Sequence, residues 1–254
     1  MKRSFSYMVL ITWIFLYWGC KTQYVRSSFE TRNLVVSDSA VAVDSQLVRA
    51  YSPYKNILEK DMLRVVGVTS EEMVKGKPES NLTNFLADLL LEEGRFTAEE
   101  LDHNFSPDIS FFNYGGIRTF LPKGEITVGK IFELMPFENE LVFLKLSGEQ
   151  VQEFLNNVAD SGGDSVGGVR FTISGNKATN VEIGSKPLRA DSDYWLVTND
   201  YVASGGDGQE VFSRRAELVA GNKKVRDAII AHMERKQEAG EVITSKPDGR
   251  ISYE

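Results

Sequence analysis

Apolar residues recur at helical spacing in two stretches of the chain, and each stretch follows a residue that favours a helix N-terminus. After Ser80, apolar side chains occupy positions i, i+3, i+4, i+7 and i+8, which predicts a helix with one buried face. That face consists of Leu82, Phe85, Leu86, Leu89 and Leu90. The tract 147–150 reads Ser-Gly-Glu-Gln, a capping-box sequence. Val151, Phe154, Leu155 and Val158 follow it at the same spacing and predict a second core helix.

Weaker helical spacing covers residues 44–60, 127–134 and 222–237. Short runs rich in β-branched and aromatic residues predict strands between the helices, at 33–36, 64–68, 108–112, 141–146, 169–173, 179–183 and 194–198. Residues 160–168 read as a glycine-rich loop. Because strands and helices mingle along the chain, we predict an α+β fold in which helices pack on a mixed sheet.

The first 19 residues have the pattern of a secretory signal, with a basic start, a short apolar run and a small residue before the end. Cys20 follows directly and is the only cysteine of the chain, so the segment resembles the lipobox of bacterial lipoproteins. An uncleaved anchor helix and a free thiol are the alternatives. We therefore expect a signal peptide over 1–19, a lipidated Cys20 at the start of a polar tether over 20–32, and a domain over 33–254. Such a protein is exported and anchored to a bacterial membrane, in the periplasm or at the cell surface.

The charge balance excludes one class of partner. The chain carries 29 Lys and Arg against 36 Asp and Glu, a formal net charge of −7, and its basic residues do not cluster. Nucleic-acid binding depends on a basic patch, so we expect no nucleic acid as partner. An anionic ligand has to be held by a few local cations.

Three loops that follow predicted strands or turns carry side chains suited to ligand binding. The tract 113–118, Asn-Tyr-Gly-Gly-Ile-Arg, offers the amide of Asn113 and the planar cation of Arg118. The turn after Pro136 presents Phe137 and Asn139, and the tract 199–208 presents Tyr201 and Asp207 around paired glycines. The blander interpretations are a surface salt bridge for Arg118, a core plug for Phe137 and an ordinary turn for 199–208.

The sequence contains no recognisable catalytic apparatus. A hydrolytic metal centre needs several imidazole and carboxylate ligands, whereas this chain has two histidines, His103 and His232, far apart and outside any ligand spacing. No nucleophile elbow or Walker loop occurs, and lipidation of Cys20 leaves no cysteine nucleophile. We expect no catalytic or metal-binding residue in the chain, and His232 at a partly buried or surface position of the last helix.

The loops, in their order, resemble the C-terminal, nucleoside-binding domain of the 5'-nucleotidase family. The resemblance begins at about residue 44 and runs to the end of the chain; it depends on four tracts, which are Glu-Ser-Asn-Leu at 79–82, Asn-x-Gly-Gly-Ile-Arg at 113–118, Pro-Phe-x-Asn at 136–139 and Asn-x-Tyr-x-x-x-Gly-Gly-Asp-Gly at 199–208. It implies a 5'-nucleotidase C-terminal-like fold in which Phe137 and Tyr201 stack on the base and Asn139 reaches its edge. It also implies that Asp207 binds the ribose hydroxyls, while Asn113 and Arg118 face the ribose and phosphate.

The sequence departs from the family pattern in two respects. The family's enzymes usually carry an N-terminal metallophosphatase domain with two metal ions, and no such motif occurs in this chain. An arginine often precedes the Glu-Ser-Asn-Leu tract, where this chain has Lys75 and Lys77. A lysine supplies the charge without a bidentate fork, and the sequence leaves open which lysine replaces the arginine.

Three hypotheses follow from the resemblance. In the first, the chain is the nucleotide-recognition domain of a 5'-nucleotidase-like phosphohydrolase of nucleotide catabolism. The phosphatase domain, with its divalent metals, then lies on a separate chain. In the second, the chain is a stand-alone nucleoside- or nucleotide-binding lipoprotein without catalysis. In the third, it is a degenerate structural domain that binds no nucleoside.

Overall fold

A computed structural model describes Thr31, Asn33 and residues 43–254 of the chain. The chain divides into two compact units, Met1–Ala50 and Tyr51–Glu254, and the functional loops belong to the second. The predicted signal peptide and Cys20 lie outside the described residues. Apart from Thr31 and Asn33, so do the tether and the strand predicted at 33–36.

The second unit alternates helices and strands, as the sequence predicts. The helices are α1 (Ser45–Met62), which begins in the first unit, α2 (Asn81–Glu100), α3 (Val128–Leu134), α4 (Gly148–Asp160), α5 (Asp200–Ala203) and α6 (Val225–Glu238). The strands are β1 (Val65–Thr69), β2 (Ile109–Phe112), β3 (Gly124–Thr127), β4 (Glu140–Ser147), β5 (Ser165–Gly167), β6 (Val169–Ser174), β7 (Lys177–Ile183), β8 (Lys186–Pro187), β9 (Asp193–Asn199), β10 (Glu217–Lys224) and β11 (Ile251–Tyr253). In the described part of the chain, no helix has the length and apolar character needed to cross a bilayer.

The two helices with the clearest sequence patterns begin at the predicted caps. At α2, the Ser80 hydroxyl accepts a hydrogen bond from the Thr83 backbone N–H, and the Thr83 hydroxyl accepts one from the Ser80 N–H. Ser147 and Gln150 make the equivalent pair at α4. Each reciprocal pair satisfies backbone donors that a helix start leaves without an intrahelical partner. The apolar faces predicted for both helices are buried.

The central sheet has the strand order β10-β4-β9-β2-β5 and is mixed, as expected. Strands β2 and β9 run parallel, with Ile109 opposite Leu196, whereas β4 runs antiparallel to β9, with Leu141 opposite Asn199. The ends of β2 and β9 therefore lie at the same edge of the sheet as the start of β4. This arrangement brings the loops after residues 112 and 199 beside the turn before residue 140.

The central sheet is buried on both faces. Along β4, Leu141 and Phe143 pack into one apolar cluster together with side chains of α2 and α6, and Val142 and Leu144 pack into a second cluster against α4. Alternate residues of a strand point to opposite faces, so this one strand contributes to both cores. The sheet edge that carries the loops is consequently supported by packed side chains on both sides.

The structure differs from the sequence-based prediction at several elements. Residue 222, the predicted start of the last helix, lies in β10, and helix α6 begins at Val225. Asn222 has φ +52°, and the register of β10 against β4 shifts between Ala220 and Lys224, so no regular alternation marks this strand. The loop predicted at 160–168 contains the short strand β5, and β3 and β11 were not predicted. Helix α1 forms where its spacing indicates, although none of its residues is buried.

Candidate functional site

The three loops meet at one edge of the central sheet around a cavity of about 380 Å³. Its lining includes all six side chains selected from the sequence: Asn113, Arg118, Phe137, Asn139, Tyr201 and Asp207. These positions span almost a hundred residues of sequence. The sheet register brings them together, since each loop follows or precedes one of three neighbouring strands, β2, β4 and β9.

The two aromatic rings are exposed in this cavity. Phe137 is 41% exposed and Tyr201 is 49% exposed, and both contribute to its wall. The interpretation of Phe137 as a core plug is therefore wrong. The Arg118 guanidinium carbon lies 5.9 Å from the centre of the Phe137 ring, so a cation borders this aromatic surface.

Asp207 is held in place by two side-chain donors. The Tyr201 hydroxyl donates to Asp207 Oδ1 at 3.0 Å, and Asn113 Nδ2 donates to Oδ2 at 2.7 Å. Asp207 has φ +52°, a left-handed conformation that costs energy for a residue with a side chain. Gly206 permits the turn, because a Cβ there would lie 2.5 Å from a ring carbon of Tyr201. The loop thus directs Asp207 towards the tyrosine, as the glycine pattern predicts.

Asn113 is 5% exposed, and both polar atoms of its side chain bond to protein groups. Its Nδ2 donates to Asp207, and its Oδ1 accepts from Asn199 Nδ2 at 3.1 Å. Asn199 in turn caps α5, because its Oδ1 accepts from the Val202 N–H. Asn113 therefore orients Asp207, in addition to lining the cavity.

Positive charge borders the cavity near Arg118. Lys75 Nζ donates to the carbonyl of Ile117 at 2.7 Å and lies 4.3 Å from the centre of the Tyr114 ring. Burial, followed by the nearby charge of Arg118, lowers the pKa of Lys75. Lys77 Nζ lies 5.2 Å from the same ring and donates to the carbonyl of Ser161. Both lysines thus contact Tyr114, and the charge of Arg118 acts on Lys75.

A second carboxylate, Asp164, lies within electrostatic range of Asp207. Burial raises the pKa of Asp164 to about 6, and the charge of Asp207 adds to this shift. Hydrogen bonds from the backbone N–H groups of Ser165 and Tyr114, and the charge of Lys77, act in the opposite direction. The sequence analysis did not select Asp164, because a single aspartate in a glycine-rich loop has the pattern of an ordinary solvated residue.

A second cavity, of about 240 Å³, lies between α2 and α6 and is lined in part by His232. His232 is 4% exposed, so the predicted partly buried or surface position is wrong; the helix packs this side against α2. Burial lowers the pKa of His232, and its Nδ1 lies 3.5 Å from the carboxylate of Glu93. Among the residues that the structure describes, no group of three or more His, Cys, Asp and Glu side chains could hold a metal ion.

An α+β domain whose sheet edge presents two rings, a fixed carboxylate and a guanidinium is the class of protein that fold and site define. The family model for the 5'-nucleotidase C-terminal domain matches residues 65–214. The chain belongs to this family, and the fold expected from the four sequence tracts is confirmed.

Individual relatives agree with this assignment. The chain is 34% identical over 182 residues to the trifunctional nucleotide phosphoesterase protein of Bacillus subtilis (strain 168), covering 63% of this chain and 12% of that protein. It is 28% identical over 179 residues to the 5'-nucleotidase of Vibrio vulnificus (strain CMCP6), covering 68% and 31%. The crystal structure of the 5'-nucleotidase precursor from Thermus thermophilus superposes with a TM-score of 0.67 at 26% identity, covering 81% and 42%. The chain thus spans less than half the length of each of these relatives.

Proposed function

We propose that the chain is the nucleotide-recognition domain of a 5'-nucleotidase-like phosphohydrolase, with the dimetal phosphatase domain on a separate chain. The observation that carries this proposal is the cavity of about 380 Å³ in which Phe137, Tyr201 and Asp207 lie together. The base stacks on the two rings, and the ribose hydroxyls donate to Asp207. The phosphate lies towards Arg118 and Lys75, the cations on the other side of the cavity.

The chemistry of the cavity supports a nucleoside-sized ligand. Its volume lies near the lower end of the usual range for small-molecule sites, about 300–1,000 Å³. Exposed aromatic rings stack on any base, and a carboxylate is an acceptor-only group that suits a pair of hydroxyl donors. Asp207 keeps further acceptor capacity beyond its bonds to Tyr201 and Asn113, because an ionised carboxylate has about four acceptor positions.

Two observations support placing the phosphatase on another chain. The relatives named as a phosphoesterase and a 5'-nucleotidase are much longer, and the matched region covers 12% and 31% of them. The described residues also offer no cluster of metal ligands. In this proposal the divalent metals belong to the partner, and the pair hydrolyses nucleotides outside the cytoplasm as part of nucleotide catabolism.

Phosphate release from AMP tests this proposal. The purified chain with Mn²⁺ or Mg²⁺ is expected to release no phosphate, and activity is expected when an exported metallophosphatase encoded beside it is added. Phe137→Ala in the mixture is expected to raise the KM for AMP, because it removes one stacking ring while leaving the metal site intact. Metal-dependent hydrolysis by the purified chain alone, abolished by a chelator, contradicts the two-chain arrangement.

A stand-alone nucleoside- or nucleotide-binding lipoprotein is the second candidate function. It is favoured by the same cavity, since all six selected side chains come from this one chain and no partner residue is needed to complete the lining. Calorimetry with adenosine and AMP, followed by affinity purification from the native membrane, separates the two functions. Binding without a recovered phosphatase supports the stand-alone function, and co-purification of a metallophosphatase supports the two-chain enzyme.

We further propose that the chain is exported and anchored to a bacterial membrane through a lipid on Cys20. The support is the order of a basic start, an apolar run and a single cysteine after Gly19. Metabolic labelling with a fatty acid is expected to mark the wild-type protein and not Cys20→Ser, and the variant is expected to leave the membrane fraction. A wild-type protein that carries no lipid, or that keeps residues 1–19, contradicts this proposal.

A further inference from the structure

Asp200 fixes the orientation of the Asn139 side chain in the cavity wall. Asn139 Nδ2 donates to Asp200 Oδ1 at 2.9 Å. An ionised carboxylate can only accept hydrogen bonds, so the group of Asn139 that faces it has to be the NH₂ and not the carbonyl oxygen. This chemical argument settles which way the amide points, independently of how its oxygen and nitrogen are assigned.

Asp200 is itself held by the backbone. Its Oδ1 also accepts hydrogen bonds from the Tyr201 N–H at 2.8 Å and the Glu140 N–H at 3.2 Å. It is the first residue of α5, which follows the cap at Asn199. Turning the Asn139 amide by 180° would place its carbonyl oxygen against a carboxylate that these backbone donors keep in place. One orientation of the amide is therefore strongly favoured.

The remaining groups of the Asn139 amide are a carbonyl oxygen and one N–H. Within the described part of the chain, the Asn139 side chain makes no further hydrogen bond. Asn139 is half-buried and lines the same cavity as Phe137 and Tyr201. A base stacked on these rings consequently meets an acceptor of fixed position at its edge.

We infer that Asp200 is a positioning residue that makes the cavity favour adenine over purines with a 6-oxo group. Adenine presents an amino donor at position 6 beside a ring-nitrogen acceptor, and asparagine pairs with this edge through both of its amide groups. Hypoxanthine and guanine present an oxygen at position 6, which would face Asn139 Oδ1 and leave two acceptors opposed. This inference rests on the proposed nucleoside site and specifies its base.

Calorimetry with adenosine and inosine tests the inference, because the two nucleosides differ at position 6 of the purine. A bidentate amide–base pair discriminates by about 1–3 kcal/mol, so the wild-type protein is expected to bind adenosine about 5- to 150-fold more tightly than inosine. Asn139→Ala is expected to bring this ratio close to one, since it removes the edge contact and keeps both rings.

Two substitutions of Asp200 separate positioning from a merely structural role. Asp200→Ala releases the Asn139 amide, which can then turn to suit either base, so the ratio is expected to fall towards one with inosine binding improved. Asp200→Asn is expected to keep most of the ratio, because the two backbone donors hold its own Oδ1 facing Asn139. A thermal melt confirms that each variant is folded, and Asn139→Ala provides the test should Asp200→Ala not fold.

The possible outcomes distinguish the inference from the function it rests on. Equal affinities of the wild-type protein for adenosine and inosine overturn the inference and leave the nucleoside site intact. A ratio that persists in Asn139→Ala, or in folded Asp200→Ala, also overturns it. Absence of binding of either nucleoside to the wild-type protein overturns the proposed function and the inference together.

Discussion

Replacement of Phe137 by alanine removes one of the two rings on which a base is expected to stack. Base–aromatic stacking is worth about 1–3 kcal/mol per base by alanine substitution, which corresponds to a rise in the Kd for adenosine of about 5- to 150-fold. The ring is 41% exposed, so its loss opens no cavity in either apolar cluster. The free energy of unfolding is therefore expected to change by less than about 1 kcal/mol.

The chain offers a matched control in Phe120. Phe120 is also 41% exposed and also carries a cation over its ring, with Lys130 Nζ 4.5 Å from the centre. It is not part of the cavity lining. Phe120→Ala therefore removes the same surface and a similar cation–ring contact at a place where no base is expected to bind.

Isothermal titration calorimetry with adenosine, supported by a thermal melt, measures both effects. Phe120→Ala is expected to bind adenosine as the wild-type protein does, and Phe137→Ala to bind it at least about 5-fold more weakly. Equal affinity of the wild-type protein and Phe137→Ala refutes the stacking argument. Equal weakening by both substitutions does so as well, because it points to a non-specific effect on the domain.

Further changes test the other parts of the account. Tyr201→Phe keeps the ring and loses the hydroxyl bond to Asp207, so calorimetry is expected to show less than about a 5-fold change in adenosine Kd, against about 5- to 150-fold for Tyr201→Ala. The folded-state pKa of Asp164, about 6, lies above its ordinary value of 3.8, so ionisation in the folded protein lowers stability as the pH rises from about 4 to above 6. Melting temperatures of Asp164→Asn are therefore expected to match those of the wild-type protein near pH 4 and exceed them above pH 7, and a constant difference contradicts this. Gly148→Ala would place a Cβ 1.9 Å from the carbonyl oxygen of Arg189 and is expected to cost about 1–3 kcal/mol in denaturant unfolding; an unchanged midpoint contradicts this.

The fold is predictable from the sequence where local pattern and tertiary structure agree. Ser80 and Ser147 start the helices that their spacing indicates, because caps and apolar periodicity are local properties. Strand β10 could not be predicted in this way. Its pairing with β4 is made at long range, and the irregular register near Asn222 interrupts the alternation on which a strand prediction depends.

The candidate site is predictable as a set of residue types and only partly as a set of roles. The loop tracts identify Phe137, Tyr201 and Asp207, since rings and glycine-flanked carboxylates are visible in sequence. The bond from Asn113 to Asp207 and that from Asn139 to Asp200 join residues 94 and 61 positions apart. Such contacts exist only once the strands are in register, so the sequence does not reveal which side chains position the others.

A crystal structure of the purified chain soaked with adenosine tests the central claim most directly. We expect the base to lie between the rings of Phe137 and Tyr201, with the ribose hydroxyls within hydrogen-bonding distance of Asp207. Saturating adenosine that leaves this cavity unoccupied, or that binds elsewhere on the molecule, contradicts the account.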